Sequence, residues 1–333
     1  MTSRRLVLGG GFAALAATLA AACSKTPDTP PGRTRIRFAT DWKAQAEHGG
    51  FYQALAMGEY AKRGLEVSIL QGGPGVNVPQ LLAAGAVELG MGSNGFIALN
   101  LVKEKVPVKA VAAFMQKDPQ VLLAHPDQGI KSIADMKGRP ILLAAASKEA
   151  FWVWLRAKYG FTDDQVRAYN YSAAPFLADK RAIQQGYVSS EPYTIEKEAG
   201  MKPAVFLLAD EGYPGYATML LAPDKLINRN PDAVRAFIEA SAVGWKAYLT
   251  GDASAADALI LKDNPEMTPE LLAHARKVMN EYGIVDSGDA KTLGIGAMTD
   301  ARWAEFFAVT SAQGVYPKDM PYKDAYTLAF LKT

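Results

Sequence analysis

The chain has 333 residues, 49% of them hydrophobic and 21% charged, a composition typical of a globular protein. Lys and Arg total 36 against 34 Asp and Glu, so a net charge of +2 provides no basic field for nucleic acid. The single cysteine, Cys23, excludes an internal disulfide and a multi-cysteine metal site, and three histidines leave little material for a histidine-rich metal centre.

Residues 1–22 have the order of an export signal: two arginines, an uncharged run rich in Ala, Leu and Gly, then small residues. The arginine pair loosely resembles a twin-arginine signal. Ala20-Ala21-Ala22-Cys23 looks like a lipoprotein cleavage box with Ala where Leu is usual. Cleavage by the ordinary signal peptidase therefore stays open, although we favour lipidation of Cys23. Residues 23–33 are polar and Pro-rich, which predicts a flexible tether.

The remaining chain alternates between strand and helix patterns, which favours an α/β fold with parallel sheets. The first part predicts strands at 35–40, 65–70, 87–91 and 108–115, and helices at 50–62, 79–84 and 95–103. The second predicts strands at 121–124, 141–145, 166–170, 187–189 and 204–208, and helices at 149–159, 175–184 and 192–199. After an extended segment at 216–221, helices are predicted at 231–248, 253–261, 269–282 and 300–313.

We therefore predict an α/β protein of two lobes, each a mostly parallel sheet flanked by helices. The first lobe takes residues 34–117, and the second takes residues 118–216. Residues 217–333 are mainly helical and cannot complete a sheet, so we expect them to return to the first lobe. Two chain crossings between the lobes would enclose a cleft, a common place for small ligands.

Several segments resemble the solute-binding proteins of ABC importers, and more narrowly the family that includes binders of thiamine pyrimidine precursors. They are Asp41-Trp42, His48-Gly49-Gly50-Phe51-Tyr52, Gly64-Leu65-Glu66-Val67, Leu82-Ala83-Ala84-Gly85, Gln185 to Tyr193, Tyr213-Pro214-Gly215-Tyr216 and Asn230-Pro231-Asp232. The resemblance implies the type II periplasmic-binding-protein fold, a membrane permease and an ATPase as partners, a monomer, and a place outside the cytoplasmic membrane. It implies no cofactor.

Three residues are the foremost ligand candidates. Trp42 follows a predicted strand, and ligand sites gather at such strand ends in open α/β sheets. Its indole could stack on a heterocycle or cover the core of the lobe. The resemblance implies that Tyr187 closes the other face of the ring and that Glu191 accepts its N–H groups. Alternatively, Tyr187 is an ordinary strand aromatic, and Glu191 is a helix-start residue favoured by the helix dipole.

His48 is an even choice between a ligand contact and a structural histidine. Gly49 and Gly50 beside it would let the backbone approach a ligand closely. Asp41 is a hydrogen-bonding candidate or merely a strand-end residue, and we favour the latter.

Ser93 and Asn94 follow a strand, where they face the cleft or cap the next helix. Of the neighbouring aromatics Phe151, Trp152 and Trp154, not all can face one side of a helix, and we choose Trp152 for the cleft. Tyr213 and Tyr216 flank the second crossing, where they line the cleft or brace the hinge.

These features favour a binding protein that converts nothing, with no catalytic residue and no metal. The family that the chain resembles includes a fungal branch of pyrimidine-synthesis enzymes with a cysteine-rich segment. This chain has no such segment, so an enzyme of that kind on the same fold is disfavoured. Sulfonate and oxyanion binders need anion donors, whereas a buried Glu191 repels anions. A thiamine-like pyrimidine is therefore the favoured ligand, and a flavin or a sulfonate is the alternative. We expect Glu191→Ala to weaken binding without lowering stability.

Overall fold

The computed structural model describes residues 32–332, in which two five-stranded sheets are flanked by helices. The signal segment 1–22, Cys23 and most of the tether lie outside the described residues. The strands are β1 Thr34–Ala39, β2 Leu65–Leu70, β3 Leu89–Asn94, β4 Val108–Met115, β5 Gln120–Ala124, β6 Ile141–Leu143, β7 Val166–Ala168, β8 Ile183–Tyr187, β9 Ala204–Leu207 and β10 Ala217–Pro223.

Fourteen α-helices are present among these residues. The first eight are α1 Gly49–Ala56, α2 Glu59–Lys62, α3 Val78–Ala83, α4 Gly95–Lys103, α5 Ala145–Lys148, α6 Phe151–Tyr159, α7 Ala174–Ala178 and α8 Glu191–Ala199. The last six are α9 Asp224–Arg229, α10 Pro231–Thr250, α11 Ser254–Asp263, α12 Pro269–Glu281, α13 Ala290–Leu293 and α14 Asp300–Ala312. A 3-10 turn, Ala46–His48, precedes α1.

The two sheets have the same mixed topology. The first has the strand order β2-β1-β3-β10-β4, and the second has the order β7-β6-β8-β5-β9. In each, one strand runs against both of its neighbours: β10 between β3 and β4, and β5 between β8 and β9. The two-lobed α/β fold is confirmed, and in each sheet four of the five strands run in the same direction, as predicted; the fifth strand, β10 or β5, makes the sheet mixed. The reason is that β5 and β10, which follow the crossings, enter their sheets in the reversed direction.

The chain crosses between the sheets twice, at residues 116–119 and at residues 208–216, which we call the crossing segments. Arg302 of α14 contacts both of them. Its guanidinium donates to the carbonyl of Gln116 in the first segment and to the carbonyl of Pro214, at 3.0 Å, in the second. The two crossings are thereby tied to one helix.

Close helix packing joins α1 to α10 on the first sheet. Phe51 of α1 and Phe237 of α10 both contact Phe38 of β1, with ring centroids 4.7 and 5.1 Å apart. A Cβ on Gly50 would collide with the indole of Trp245. The glycine beside it, Gly49, meets Tyr248 in the same way. The glycines that we expected to approach a ligand instead let two helices pack closely.

Two predicted helices are shorter in the structure, and the strand predicted at 187–189 lies earlier, at Ile183–Tyr187. The helix predicted at 50–62 is divided at Gly58, whose φ of +68° is a left-handed conformation that glycine adopts at little cost. The helix predicted at 175–184 ends at Ala178, because the carboxylate of Asp179 accepts the amide of Arg181 at 2.9 Å and turns the chain. Residues 183–187 are then free to form β8.

Candidate functional site

A cavity of about 530 Å³ opens between the two sheets, at the ends of β1, β3 and β8. Such strand ends are where ligands bind in open α/β folds. Its first wall, from the first sheet, includes Asp41, Trp42, Glu47, His48, Ser93 and Asn94. Its second wall, from the second sheet, includes Phe151, Tyr169, Tyr171, Gln185, Tyr187 and Glu191. Six of the nine predicted ligand residues, namely Trp42, His48, Ser93, Asn94, Tyr187 and Glu191, therefore line one cavity.

The first wall carries polar atoms without hydrogen-bond partners in the described chain. His48 has no exposed surface, and neither of its ring nitrogens is hydrogen-bonded. Asp41 Oδ1 also lacks a partner, and it lies 3.6 Å from His48 Nε2, beyond ordinary hydrogen-bond reach. The other oxygen of Asp41 accepts the hydroxyl of Ser93. A buried polar atom left unpaired costs ~1–3 kcal/mol, so these atoms are suited to a hydrogen-bonding ligand.

The second wall carries a carboxylate that already has partners. Oε2 of Glu191, the first residue of α8, accepts the Tyr187 amide at 2.7 Å and the Ser190 hydroxyl at 2.6 Å. Its Oε1 accepts the Tyr169 hydroxyl at 3.4 Å. These bonds hold the turn between β8 and α8, so we now expect Glu191→Ala to lower stability rather than to leave it unchanged. Only Oε1, with one long bond, has capacity left for a ligand.

Aromatic contact across the cavity involves a residue that the sequence reasoning missed. The rings of Trp42 and Tyr171 lie with centroids 4.7 Å apart at 44°, and Tyr171 in turn contacts Tyr169. Tyr187 lines the same cavity, but the sandwich of a ligand between Trp42 and Tyr187 stays a prediction. Tyr171 follows β7, so the strand-end argument used for Trp42 would have found it.

Asn94 has the capping role that the sequence left open. Its side-chain oxygen accepts the amide of Phe96 at 3.1 Å, at the start of α4, while the residue also lines the cavity. Ser93 beside it is engaged with Asp41. Both residues therefore shape the first wall through local hydrogen bonds.

Trp152 lies away from the cavity, and Phe151 takes its place in the wall. The Trp152 indole is buried, donates to Asp163 Oδ1 at 2.8 Å, and contacts Phe161 with centroids 5.9 Å apart. Adjacent residues on a helix point about 100° apart, so only one of the two can face the cavity.

Tyr213 and Tyr216 brace the second crossing segment and do not line the cavity. Tyr213 packs edge-on against Trp154, with centroids 5.4 Å apart. Tyr216 donates to Asp289, and the Arg302 guanidinium lies over its ring, 4.2 Å from the centroid. Both tyrosines thus lie in the second crossing segment rather than in the cavity wall, and Tyr213 also contacts Phe306 of the first lobe, with ring centroids 6.3 Å apart.

The charge lining the cavity is uniformly acidic. Asp41, Glu47, Glu104 and Glu191 line it, and within residues 32–332 no Lys or Arg does. Burial raises the pKa of the Glu47 carboxyl, opposed by a hydrogen bond that Ser189 donates from the second lobe. Such a lining disfavours anionic ligands.

Asp118 and Tyr187 lie in the same buried, acidic environment, and both have raised pKa values. Burial raises the pKa of Asp118, in the first crossing segment, to about 7. Burial and then the charges of Asp118, Asp41, Glu47 and Glu191 raise the pKa of Tyr187 well above its usual value. The Tyr187 phenol therefore lies among carboxylates that come from both lobes and from the crossing.

Within residues 32–332, neither a metal-binding cluster nor a membrane-spanning helix is present. No group of three or more His, Cys, Asp or Glu side chains is placed to hold a metal ion. None of the helices there combines the length and the apolar character needed to cross a membrane.

Three characterised proteins are similar to this chain in sequence. The riboflavin-binding protein RibY of Chloroflexus aurantiacus is 25% identical over 319 residues, covering 92% of this chain and 88% of RibY. The 4-amino-5-hydroxymethyl-2-methylpyrimidine phosphate synthase of Schizosaccharomyces pombe is 24% identical, covering 62% and 63%. The formylaminopyrimidine-binding protein of Halalkalibacterium halodurans is 23% identical, covering 70% of each chain.

The fold also matches a solved structure. The periplasmic aliphatic sulphonate binding protein SsuA of Escherichia coli superposes with a TM-score of 0.64 at 14% identity, covering 88% of this chain and 92% of SsuA. At that identity the likeness shows the periplasmic-binding-protein fold alone. The model of the family described as NMT1/THI5 like matches residues 45–254, more than half of the chain. The resemblance seen in the sequence is thus confirmed, and the chain belongs to the NMT1/THI5-like family.

Proposed function

We propose that the protein is the extracytoplasmic solute-binding component of an ABC importer, and that it binds a small aromatic heterocycle rich in N–H donors. The observation that carries this proposal is the cavity itself: aromatic rings on both walls, carboxylates, and no Lys or Arg among its described lining residues. A thiamine-precursor-like pyrimidine is the favoured solute. Binding proteins among the relatives support the role.

The chemistry of the walls supports a flat, nitrogen-rich ligand. A ring placed beside Trp42 would gain stacking of ~0.5–1.5 kcal/mol beyond the area that it buries. Its N–H groups would pair with Asp41 Oδ1 and with the remaining capacity of Glu191 Oε1. Hydrogen bonds to charged groups contribute ~1.5–3 kcal/mol, so a few such contacts decide the selectivity.

A flavin is the second candidate. The cavity of about 530 Å³ lies within the ~300–1,000 Å³ range of ligand pockets and is larger than one pyrimidine ring requires. The relative with the greatest coverage among the three described is named for riboflavin binding. A sulfonate or oxyanion is disfavoured by the acidic lining.

The proposal includes a hinge and a membrane complex. The lobes, residues 34–117 with 217–333 and residues 118–216, would close about the crossing segments when a ligand contacts both walls. The closed form would deliver its solute to a permease and ATPase. A lipid on Cys23 would hold this monomer at the outer face of the cytoplasmic membrane.

The rival function is an enzyme of the same family, since one relative is named as a synthase. We propose binding without conversion. The test incubates the exported, processed protein with 4-aminopyrimidines, flavins, aminosulfonates and oxyanions and measures the melting temperature. A ligand selective for the native state raises it.

We expect stabilisation by an aminopyrimidine or a flavin, and mass spectrometry should recover that compound unchanged. Stabilisation by sulfonates or oxyanions alone would overturn the ligand class, and recovery of an altered compound would favour the enzyme.

A further inference from the structure

The acidic residues of the cavity are not all at its rim. Glu47 is 3% exposed, and it directly precedes His48, which has no exposed surface. Asp41 Oδ1 lies 3.6 Å from Nε2 of the same imidazole. Two acidic residues and one buried histidine therefore line the first wall together.

Within residues 32–332, neither carboxylate is paired with a Lys or an Arg. Asp41 accepts the Ser93 hydroxyl and lies 3.6 Å from His48, and Glu47 accepts the Ser189 hydroxyl. Every ion pair that involves Lys or Arg in the described chain lies elsewhere. A buried carboxylate without a counter-charge is costly, and a ligand cation would offset that cost.

A second observation marks this place as a binding subsite rather than an acidic cluster. Both ring nitrogens of the buried His48, together with Asp41 Oδ1, lack a partner in residues 32–332 and border the cavity. Tyr187 faces the same carboxylates from the second wall, since the charges of Asp41 and Glu47 both contribute to raising its pKa. The unpaired atoms of His48 and Asp41 and the carboxylate of Glu47 thus belong to residues that line the same wall of the cavity.

We propose that this subsite, formed by Asp41, Glu47 and His48, binds a positively charged nitrogen, such as a primary ammonium, carried as a substituent on the heterocycle. The inference rests on the proposed function and sharpens it: the solute is a cation and not a neutral ring. The ammonium donates to Asp41 and Glu47, and the aromatic ring extends from it toward Trp42 and Tyr171. A charge-assisted contact with two acids distinguishes this solute from a neutral analogue of the same shape.

The test uses two 4-amino-2-methylpyrimidines that differ only at C5, where one carries an aminomethyl group and the other a hydroxymethyl group. At pH 7.5 the first is an ammonium ion, and the second is neutral. Calorimetry on the processed protein should give an affinity for the aminomethyl compound about tenfold or more higher, which corresponds to ~1.4 kcal/mol. Asp41→Asn or Glu47→Gln should reduce that preference to about twofold.

Glu270→Gln is the control, because Glu270 is an exposed acid of α12 that does not line the cavity. It should retain the preference. Glu47→Gln keeps an acceptor for Ser189, so the ligand-free melting temperature checks its fold, and Asp41→Asn provides an independent variant.

Equal affinity of the wild-type protein for the two pyrimidines would overturn the cation subsite and leave the proposed function standing. If neither pyrimidine nor any flavin binds while a sulfonate does, the proposed ligand class fails as well. A preference that survives in both Asp41→Asn and Glu47→Gln would also overturn the assignment of the subsite.

Discussion

The two walls of the cavity differ in how their polar groups are satisfied. On the second wall, Glu191 accepts a backbone amide and two hydroxyls, and these bonds hold the turn that leads into α8. On the first wall, His48 and Asp41 Oδ1 are buried without partners in the described residues. The second wall is thus preorganised by its own hydrogen bonds, whereas the first keeps its hydrogen-bonding capacity for a ligand.

The comparison shows that a carboxylate in a cleft is not by itself a ligand acceptor. Its remaining capacity depends on which local donors reach it, and Glu191 is reached by the backbone of its own turn. Substitutions on the second wall should therefore affect stability and binding together. Substitution of His48, whose ring nitrogens have no partner in the described residues, should affect binding alone.

The largest expected effect concerns Asp118, which lies between the walls. Because burial raises its pKa from 3.8 to about 7, the folded state holds a proton that the unfolded state releases. Its contribution to stability is complete below pH 3.8 and is lost as the pH rises to about 7. At ~1.4 kcal/mol per pKa unit, the loss reaches at most about 4 kcal/mol.

Asp118→Asn keeps an acceptor for the Gln120 amide and should abolish this dependence. Thermal melts of both proteins from pH 4 to pH 8 should show the variant gaining on the wild type up to about pH 7 and no further. A difference in melting temperature that stays constant across this range would mean that Asp118 is ionised throughout. Asp118 would then not share the buried, acidic environment of Tyr187.

Next in size is the effect of Glu191→Ala. The Tyr187 amide loses its acceptor, so the free energy of unfolding should fall by ~1–3 kcal/mol, and the affinity should fall as well. Glu191→Gln retains an acceptor oxygen and should recover most of the stability. Denaturant titration and calorimetry measure the two quantities, with Glu198→Gln on the exposed face of α8 as the control. An unchanged stability of Glu191→Ala would contradict the structural role.

His48→Leu, unlike Glu191→Ala, should lower the affinity without lowering the stability. The substitution removes two buried nitrogens that have no partner in residues 32–332, so stability should be equal or higher, while affinity falls about tenfold or more. His125→Leu is the matched comparison. His125 is also buried, but its Nε2 donates to the Phe176 carbonyl at 2.8 Å, outside the cavity. It should lose stability and keep its affinity. A His48→Leu variant that binds normally would show that the ligand does not contact His48 on the first wall.

The smallest effects should come from residues behind the walls. Trp152→Phe loses the hydrogen bond to Asp163, worth ~1 kcal/mol, and should leave the affinity within about twofold of the wild type. Phe151→Leu, one residue away in the cavity wall, should weaken binding severalfold through lost ring contact. If calorimetry showed a larger loss of affinity in Trp152→Phe than in Phe151→Leu, Trp152 would contact the ligand.

The sequence by itself determined the elements and their approximate order. Strand and helix periodicity predicted α4 and β4 with the bounds that the structure shows, and Asn230 as the cap of α10, where it accepts the Ala233 amide. It also placed Trp42 and Ser93 just after strands. These features depend on local chain geometry and on contacts within a few residues, which a sequence pattern records directly.

Only the tertiary structure decided which partner each of these groups meets. It paired Gly50 with Trp245 of a helix about 195 residues later, Trp42 with Tyr171, and Ser189 with Glu47 across the cleft. It also selected Phe151 over Trp152 for the wall. Periodicity fixes the face on which a side chain lies, but the group opposite that face comes from a distant segment whose position depends on the packing of the whole chain.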